Sequence, residues 1–167
     1  MIKQVRITEI GLPEAAFAHR DAFGREIVAP VLKQLIRRWH RDFLPDHFRE
    51  GAQARYHYKA RTEKYKKRKR ILAAARGRTA LPLVYTGRMK REVERNIKIK
   101  ETQKGAEGIM TGPRYLYLYG QGGVRPHLAG ELTTQTQGEL DQQALLAGRL
   151  TLELLNNEKT KVTHRIG

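Results

Sequence analysis

The feature that most constrains the fold of this sequence is a helical pattern of apolar residues between positions 25 and 43. Its members recur at steps of three and four residues: Ile27, Val28, Val31, Leu32, Leu35, Ile36, Trp39 and Phe43. Most of the basic residues in the stretch fall on the opposite face. The pattern predicts a long amphipathic helix that buries one face in a core. Pro30 predicts a kink or a later start, and Pro45 predicts the end of the helix.

Shorter patterns predict the other elements. Strands are predicted at residues 3–10, 97–99, 109–112 and 115–119, and further helices at residues 14–23, 88–94 and 139–156. Gly24 is expected to interrupt the helix before it, and Met89 and Val93 are expected to point inward. This order predicts a single α+β domain over residues 1–167. Its N-terminal amphipathic helix and its C-terminal helix would pack on a small antiparallel sheet. Residues 159–167 are expected to form a mobile polar tail.

The charge of the chain indicates an anionic partner. The 33 Lys and Arg residues against 17 Asp and Glu residues give a formal net charge of +16, and a compact domain with that excess repels itself. Nucleic acid and an acidic surface of another protein would both supply the negative charge that offsets this excess. The chain has no cysteine, no apolar run of membrane-spanning length and no signal-peptide pattern at its start. We therefore expect a soluble protein, made in a reducing cytoplasm, with no membrane partner.

Residues 47–81 are predicted to be a basic arm or insertion. The segment is poor in aliphatic residues until Ile71, and it is too long for an ordinary loop. The cations expected to contact a partner or nucleic acid are Lys59, Arg61, Lys64, Lys66, Lys67, Arg68, Lys69 and Arg70. Three interpretations stay open. The cations contact phosphates while Tyr56, Tyr58 and Tyr65 stack on bases, or the arm is only solvated, or it docks on an acidic patch of a neighbouring subunit.

The chain itself carries a candidate for that acidic patch. Between positions 131 and 158 the charged residues are five acids and a single base: Glu131, Glu139, Asp141, Glu153, Glu158 and Arg149. A basic middle segment and an acidic C-terminal segment allow head-to-tail association. Such association closes into a ring if the rotation between subunits permits it.

The residues that commonly carry catalysis are present but poorly arranged. His40 and His47 lie seven residues apart, but Pro45 falls between them and no metal-binding pair of the HExxH type occurs. Residues 120–123 are glycine-rich but lack the lysine and hydroxyl residue of a phosphate-binding loop. No arrangement of nucleophile, base and oxyanion donor is evident. The sequence therefore predicts no enzyme, no metal site and no cofactor.

Several short motifs follow one another in a recognisable order. Thr62, Tyr65 and the basic residues 67–69 precede the segment Pro82, Leu83, Val84, Tyr85, Thr86, Gly87, Arg88, Met89 and Lys90. Residues 115–120, the segment Arg125, Pro126, His127 and Leu128, and the predicted C-terminal helix come next. This order resembles the virion-morphogenesis family of tailed-phage neck and tail-completion proteins. The likeness covers roughly residues 56–155, and the helix predicted at 25–43 matches the family's first helix.

The resemblance implies an α+β ring subunit at the head–tail junction of a phage virion, without catalysis or cofactor. It implies partners that include other copies of the chain and the adjacent connector and tail proteins, and assembly from protein made in the host cytoplasm. It gives structural roles to Thr86, Gly87 and Arg88, and to Arg125 and Pro126. A histidine follows Arg125-Pro126 where the family more usually has phenylalanine, and the linker is unusually basic. The position within the virion therefore stays open.

Two other functions remain as alternatives. The first is a monomeric nucleic-acid-binding protein without sequence specificity, which the charge of +16 and the basic run favour. The second is an enzyme such as a nuclease, which rests only on scattered His and Asp residues. DNA passes through a phage neck, so a basic arm in a ring can touch it. Because such a channel must not grip its cargo, we expect the basic run at subunit or partner contacts in preference to the channel wall.

Overall fold

The protein combines helices with a small sheet, which confirms the predicted α+β class. The computed structural model describes residues 4–7, 22–81, 83–84, 87–95, 97–102, 105–113 and 128–165. In chain order its elements are β1 (Gln4–Ile7), α1 (Ala22–Arg38), a π-helical turn (Trp39–Phe43), a 3₁₀ helix (Leu44–Phe48), α2 (Ala52–Arg55), α3 (Glu63–Ala74), α4 (Arg88–Arg95), β2 (Ile97–Thr102), β3 (Gly105–Thr111), α5 (Leu128–Thr133) and α6 (Gln137–Arg165).

The sheet has three strands in the order β1-β3-β2. Only two residues separate the end of β2 from the start of β3, so these strands form an antiparallel hairpin. Ile97 and Ile99 of β2 are half-buried while Lys98 and Lys100 between them are exposed, which is the alternation that predicted the strand. The strand predicted at residues 115–119 lies outside the described residues.

The helix predicted at residues 25–43 is confirmed, but its limits differ. α1 begins at Ala22 and includes Gly24, so the predicted interruption there is wrong. Pro30 lies inside α1, where it removes one backbone hydrogen bond without ending the helix. The helical path also passes Pro45, because this residue opens the 3₁₀ helix, a position at which its missing N–H is not needed. At the C-terminus, α6 continues to Arg165 through most of the predicted tail.

The chain divides into two compact units, where the sequence predicts a single domain. The first unit comprises Met1–Val5, Trp39–Ile97 and Met110–Thr136, and the second comprises Arg6–Arg38, Lys98–Ile109 and Gln137–Gly167.

The second unit is built on α1, α6 and the sheet residues. α1 and α6 pack against each other, and α1 buries an aliphatic face: Ile27, Val31, Leu32, Leu35 and Ile36. Gly105 of β3 lies against α1 so closely that a Cβ atom there would overlap Leu32 Cδ1 and lie 3.3 Å from Val28 Cγ1. An ion pair between Lys33 and Glu101 links α1 to β2. Absence of a side chain at Gly105 therefore permits the approach of strand and helix.

The first unit has a largely aromatic core. Its most deeply buried side chains are Trp39, Leu44, His47, Phe48, Val93, Met110 and Leu132. Met89 and Val93 of α4 point inward, as the sequence predicts. A second cluster of buried residues consists of Ala52, Tyr56 and Tyr58, with Leu83 packed against it. Residues 47–58, expected to belong to an exposed arm, thus supply much of this core.

Candidate functional site

The basic run forms helix α3, which contains no buried residue. Thr62 caps its N-terminus, because its Oγ1 accepts a hydrogen bond from the backbone N–H of Tyr65 over 3.4 Å. Its C-terminus is closed at Gly77, which adopts a left-handed conformation, and by a hydrogen bond of 2.9 Å from Arg78 N to the Ala73 carbonyl. The Lys, Arg, Leu and Ala residues between these caps are good helix formers.

α3 has two faces that differ in exposure. The half-buried stripe consists of Tyr65, Lys66, Lys69, Leu72 and Ala73, at steps that repeat on one side of a helix. The exposed face consists of Lys64, Lys67, Arg68, Arg70 and Ile71, and Ile71 is 61% exposed. We call this second set the exposed face of α3. It is the most concentrated group of outward-pointing cations in the described residues.

Three of the eight predicted contact residues have side-chain interactions within the chain that involve their cationic groups, and the backbone N–H of Lys59 donates to Glu131 over 3.1 Å. Arg61 makes a two-pronged ion pair with Glu131 of α5, at 2.5 Å from Nη2 to Oε2 and 3.0 Å from Nη1 to Oε1. Both side chains are largely buried, at 16% and 11% exposure. Lys66 donates to Glu63 over 2.7 Å. Lys69 places its ammonium 5.9 Å from the centre of the Tyr65 ring.

The environment of Lys69 also changes its acidity. Burial, and secondarily the positive charge of Arg61, lower the pKa of Lys69 to about 8. The same cation is therefore partly discharged at mildly alkaline pH, unlike an ordinary lysine.

The other predicted contact residues point outward. Lys64, Lys67, Arg68 and Arg70 are exposed on α3, and the exposed Lys59 precedes the helix. Lys64, Lys67 and Arg68 make no ion pair within the described part of the chain. These three side chains are therefore the clearest candidates for contact with an external anion.

Tyr56 and Tyr58 are not available to stack on bases, as one of the three interpretations of the basic segment requires. Both are buried, at 2% and 7% exposure. Tyr56 stacks on His47 at 3.8 Å between ring centres, and the Tyr58 hydroxyl is joined to His47 Nδ1 by a hydrogen bond of 2.5 Å. Burial is the main cause that lowers the pKa of His47 to about 4. The imidazole is therefore a neutral member of the core at physiological pH.

The two histidines considered for a metal site have structural roles instead. His40 donates from Nε2 to the Val93 carbonyl over 2.8 Å and so links the π-helical turn to α4. His47 is stacked in the core as described above. In the part of the chain that the structure describes, no group of His, Asp and Glu side chains is arranged to hold a metal ion.

The predicted acidic patch is largely engaged within its own chain. Glu131 pairs with Arg61, Glu139 is 1% exposed, and Glu153 pairs with Arg149 at 2.8 Å. Asp141 accepts a hydrogen bond from Gln137 over 2.8 Å. No local sequence pattern predicts the Arg61–Glu131 pair, because its members are 70 residues apart. Glu131, Glu139 and Glu153 are thus engaged within the chain, whereas Asp141 stays exposed and the Glu158 side chain lies outside the described residues.

The motif residues that are described have local structural roles. Thr62 caps α3, and Gly87 precedes α4 with φ of +81°, where its carbonyl accepts the Arg91 N–H over 3.1 Å. Glycine adopts this left-handed conformation more readily than other residues. Arg88 forms an ion pair with Glu92 at 2.5 Å, one helical turn later. Thr86, Arg125 and Pro126 lie outside the described residues.

Comparison with protein-family models, with curated proteins and with solved structures finds no match for this chain. Among the described helices, none is long and apolar enough to span a membrane.

Proposed function

We propose that this chain is a structural subunit of the head–tail junction of a tailed phage. In this proposal it acts without catalysis, by forming a homo-oligomeric ring and by contacting the adjacent connector and tail proteins in the virion. The order of the sequence motifs supports the family, and the capping role of Thr62 and the turn at Gly87 give two of those motifs a physical reason.

The observation that carries self-association is an exposed leucine pair on α6. Leu145 and Leu152 are 76% and 62% exposed, on a helix of 29 residues. Seven residues correspond to about two helical turns, so both side chains lie on one face. Large apolar side chains repeated on one exposed face are typical of helices that pack against another chain.

The test is the molar mass of nuclease-treated protein by light scattering behind a sizing column, at low and at high salt. We expect a defined multiple of the 19.2 kDa chain at both salts, because apolar contacts are not weakened by salt. The double variant Leu145→Glu/Leu152→Glu is expected to be monomeric. The control Ala144→Glu/Asn157→Glu, which adds the same charge at exposed positions away from the leucine face, should remain assembled. A monomeric wild-type chain at every concentration would contradict the ring.

The second candidate is a monomeric nucleic-acid-binding protein without sequence specificity. The exposed face of α3 favours it, since four cations point outward from one short helix. A monomer that binds DNA at low salt and releases it at high salt would replace the ring by this function.

A further inference from the structure

The acidic residues of the first unit are almost all neutralised inside it. Six acids have a basic partner within 4 Å: Asp42, Asp46, Glu63, Glu92, Glu94 and Glu131. The same unit contains 20 of the 33 Lys and Arg residues and 7 of the 17 Asp and Glu residues. A large surplus of cations is therefore left without a counter-charge from its own unit.

The surplus is displayed on the exposed face of α3. Lys64, Lys67 and Arg68 occupy positions that project to the same side of the helix, and the exposed Arg70 lies beside them. Arg76 and Arg78, which are also exposed, follow directly after the helix. Flexible cations in a row are suited to a continuous line of negative charges.

The C-terminal acidic segment of a second copy is a limited source of that negative charge. Glu131 and Glu153 are ion-paired in their own chain and Glu139 is buried. The phosphate backbone of a nucleic acid, in contrast, supplies negative charge along its whole length.

The exposed face of α3 also lacks the means to bind unstacked bases. Proteins that bind single strands combine basic grooves with aromatic rings on which bases stack. The face carries no aromatic side chain, Tyr65 belongs to the half-buried stripe, and Tyr56 and Tyr58 are in the core. Cations without stacking rings favour the backbone of a duplex over a single strand.

We infer that the exposed face of α3, through Lys64, Lys67 and Arg68, binds the phosphate backbone of duplex DNA without reading its sequence. The inference deepens the proposed function, on which it rests for the setting in which the chain meets DNA. It assigns the basic helix to DNA, where the sequence alone favoured a contact between subunits.

The test is the affinity of the full-length, nuclease-treated chain for a short duplex, measured by fluorescence anisotropy over roughly 50 to 200 mM salt. The variant is Lys64→Gln/Lys67→Gln/Arg68→Gln. The matched control is Arg37→Gln/Lys98→Gln/Lys100→Gln, which removes three exposed cations from the second unit and leaves the same net charge. Glutamine forms helices about as well as lysine, so α3 should persist, and circular dichroism checks this.

We expect the α3 variant to bind the duplex roughly 30-fold or more weakly at low salt. The slope of log affinity against log salt should fall by about 2.7, since each neutralised phosphate contributes about 0.9. The control should keep its slope. Equal losses in the two variants would overturn the inference, because net charge alone would then explain binding.

Two competitors decide the class of partner. A single strand of the same length should bind more weakly than the duplex, and stronger binding of the single strand would refute the inference. Poly-glutamate should compete poorly, and tighter binding to it than to duplex would assign the face to an acidic protein. The ring proposal is tested separately from DNA binding, because Leu145→Glu/Leu152→Glu should change the oligomeric state and leave α3 intact.

Discussion

The two units of the chain differ sharply in charge. The first has 20 Lys and Arg residues against 7 Asp and Glu residues, whereas the second has 13 against 10. Of the formal charge of +16, the first unit thus carries +13 and the second +3. A polyanion is expected to meet the first unit. In the proposed ring, the nearly balanced second unit would contact other chains through the exposed Leu145 and Leu152 of α6.

Their interiors differ as well. The second unit packs aliphatic side chains of α1 against α6, and depends on close approach at Gly105. The first surrounds an uncharged imidazole, His47, with the rings of Trp39, Tyr56 and Tyr58. Acid should therefore destabilise the first unit, whereas a change of side-chain volume at the contact between β3 and α1 should destabilise the second.

Acid should destabilise the first unit more than any of the substitutions below destabilises the chain. The folded pKa of His47, about 4, lies below its ordinary value of 6.5, so its contribution to stability is complete above pH 6.5 and is lost as the pH falls toward 4. We expect a loss of about 3 kcal/mol in unfolding free energy between pH 7 and pH 4 from this group. Urea unfolding at both pH values measures it.

His47→Phe is the matched variant for this prediction. It lacks the titrating group and should show a correspondingly smaller difference between the two pH values, although its stability at pH 7 is lower because the bond to Tyr58 is lost. Hydrogen exchange should show acid-induced loss of protection in α4 before α1. Equal pH dependence of wild type and variant would remove His47 as the cause.

The next largest effect tests the second unit. Gly105→Ala forces Leu32 to move and places a side chain at φ of +132°, so we expect a loss of about 2 kcal/mol. Gly148→Ala is the control, because nothing lies within 4 Å of its Cβ position in α6, and it should be neutral or stabilising by up to about 1 kcal/mol. Thermal unfolding measures the stability of both variants. If they are equally stable, β3 can move away from α1 without a loss of stability.

A smaller loss of stability is expected when the largely buried ion pair between Arg61 and Glu131 is broken. Glu131→Gln leaves the Arg61 guanidinium largely buried without its counter-charge, and should cost about 1.5 kcal/mol. Glu153→Gln removes an exposed pair with Arg149 and should change stability by less than about 0.5 kcal/mol. If the two variants are equally stable, the burial of the Arg61–Glu131 pair does not increase its contribution to stability.

The smallest effect is local to α3. Thr62→Ala removes the cap, so the first turn of the helix should open more easily by about 1 kcal/mol. Amide exchange of residues 63–66 reports it. Thr79→Ala, at an exposed position outside any helix, is the control and should leave those amides unchanged.

The sequence predicted the elements whose burial follows a regular period. The buried face of α1, the inward Met89 and Val93 of α4, and the alternation in β2 all came from spacing alone. Residues 47–58 were missed because their burial depends on aromatic rings, a neutral histidine and a short π-helical and 3₁₀ path, none of which has an aliphatic period. α5 was missed for another reason: this six-residue helix is held by one buried side chain, Leu132, and by the ion pair of Glu131 with distant Arg61, which leave no apolar period to detect.

The candidate site was predicted in position but not in detail. The run of cations does not itself show which of them share the exposed side of the helix. The structure shows that Lys64, Lys67 and Arg68 are exposed, whereas Lys66 and Lys69 are half-buried. The distinction depends on which side of α3 is half-buried. The density of charged residues along the sequence does not indicate which side of α3 is half-buried.

The lowered pKa of Lys69 has a chemical consequence for the basic helix. An amine with a pKa of about 8 is half in its neutral, nucleophilic form at pH 8, whereas an ordinary lysine is almost fully protonated there. Lys69 therefore carries a partly neutral nitrogen at a position off the exposed face of α3. Acylation at this nitrogen would remove one charge and disturb the ammonium's contact with Tyr65, while Lys64, Lys67 and Arg68 keep theirs.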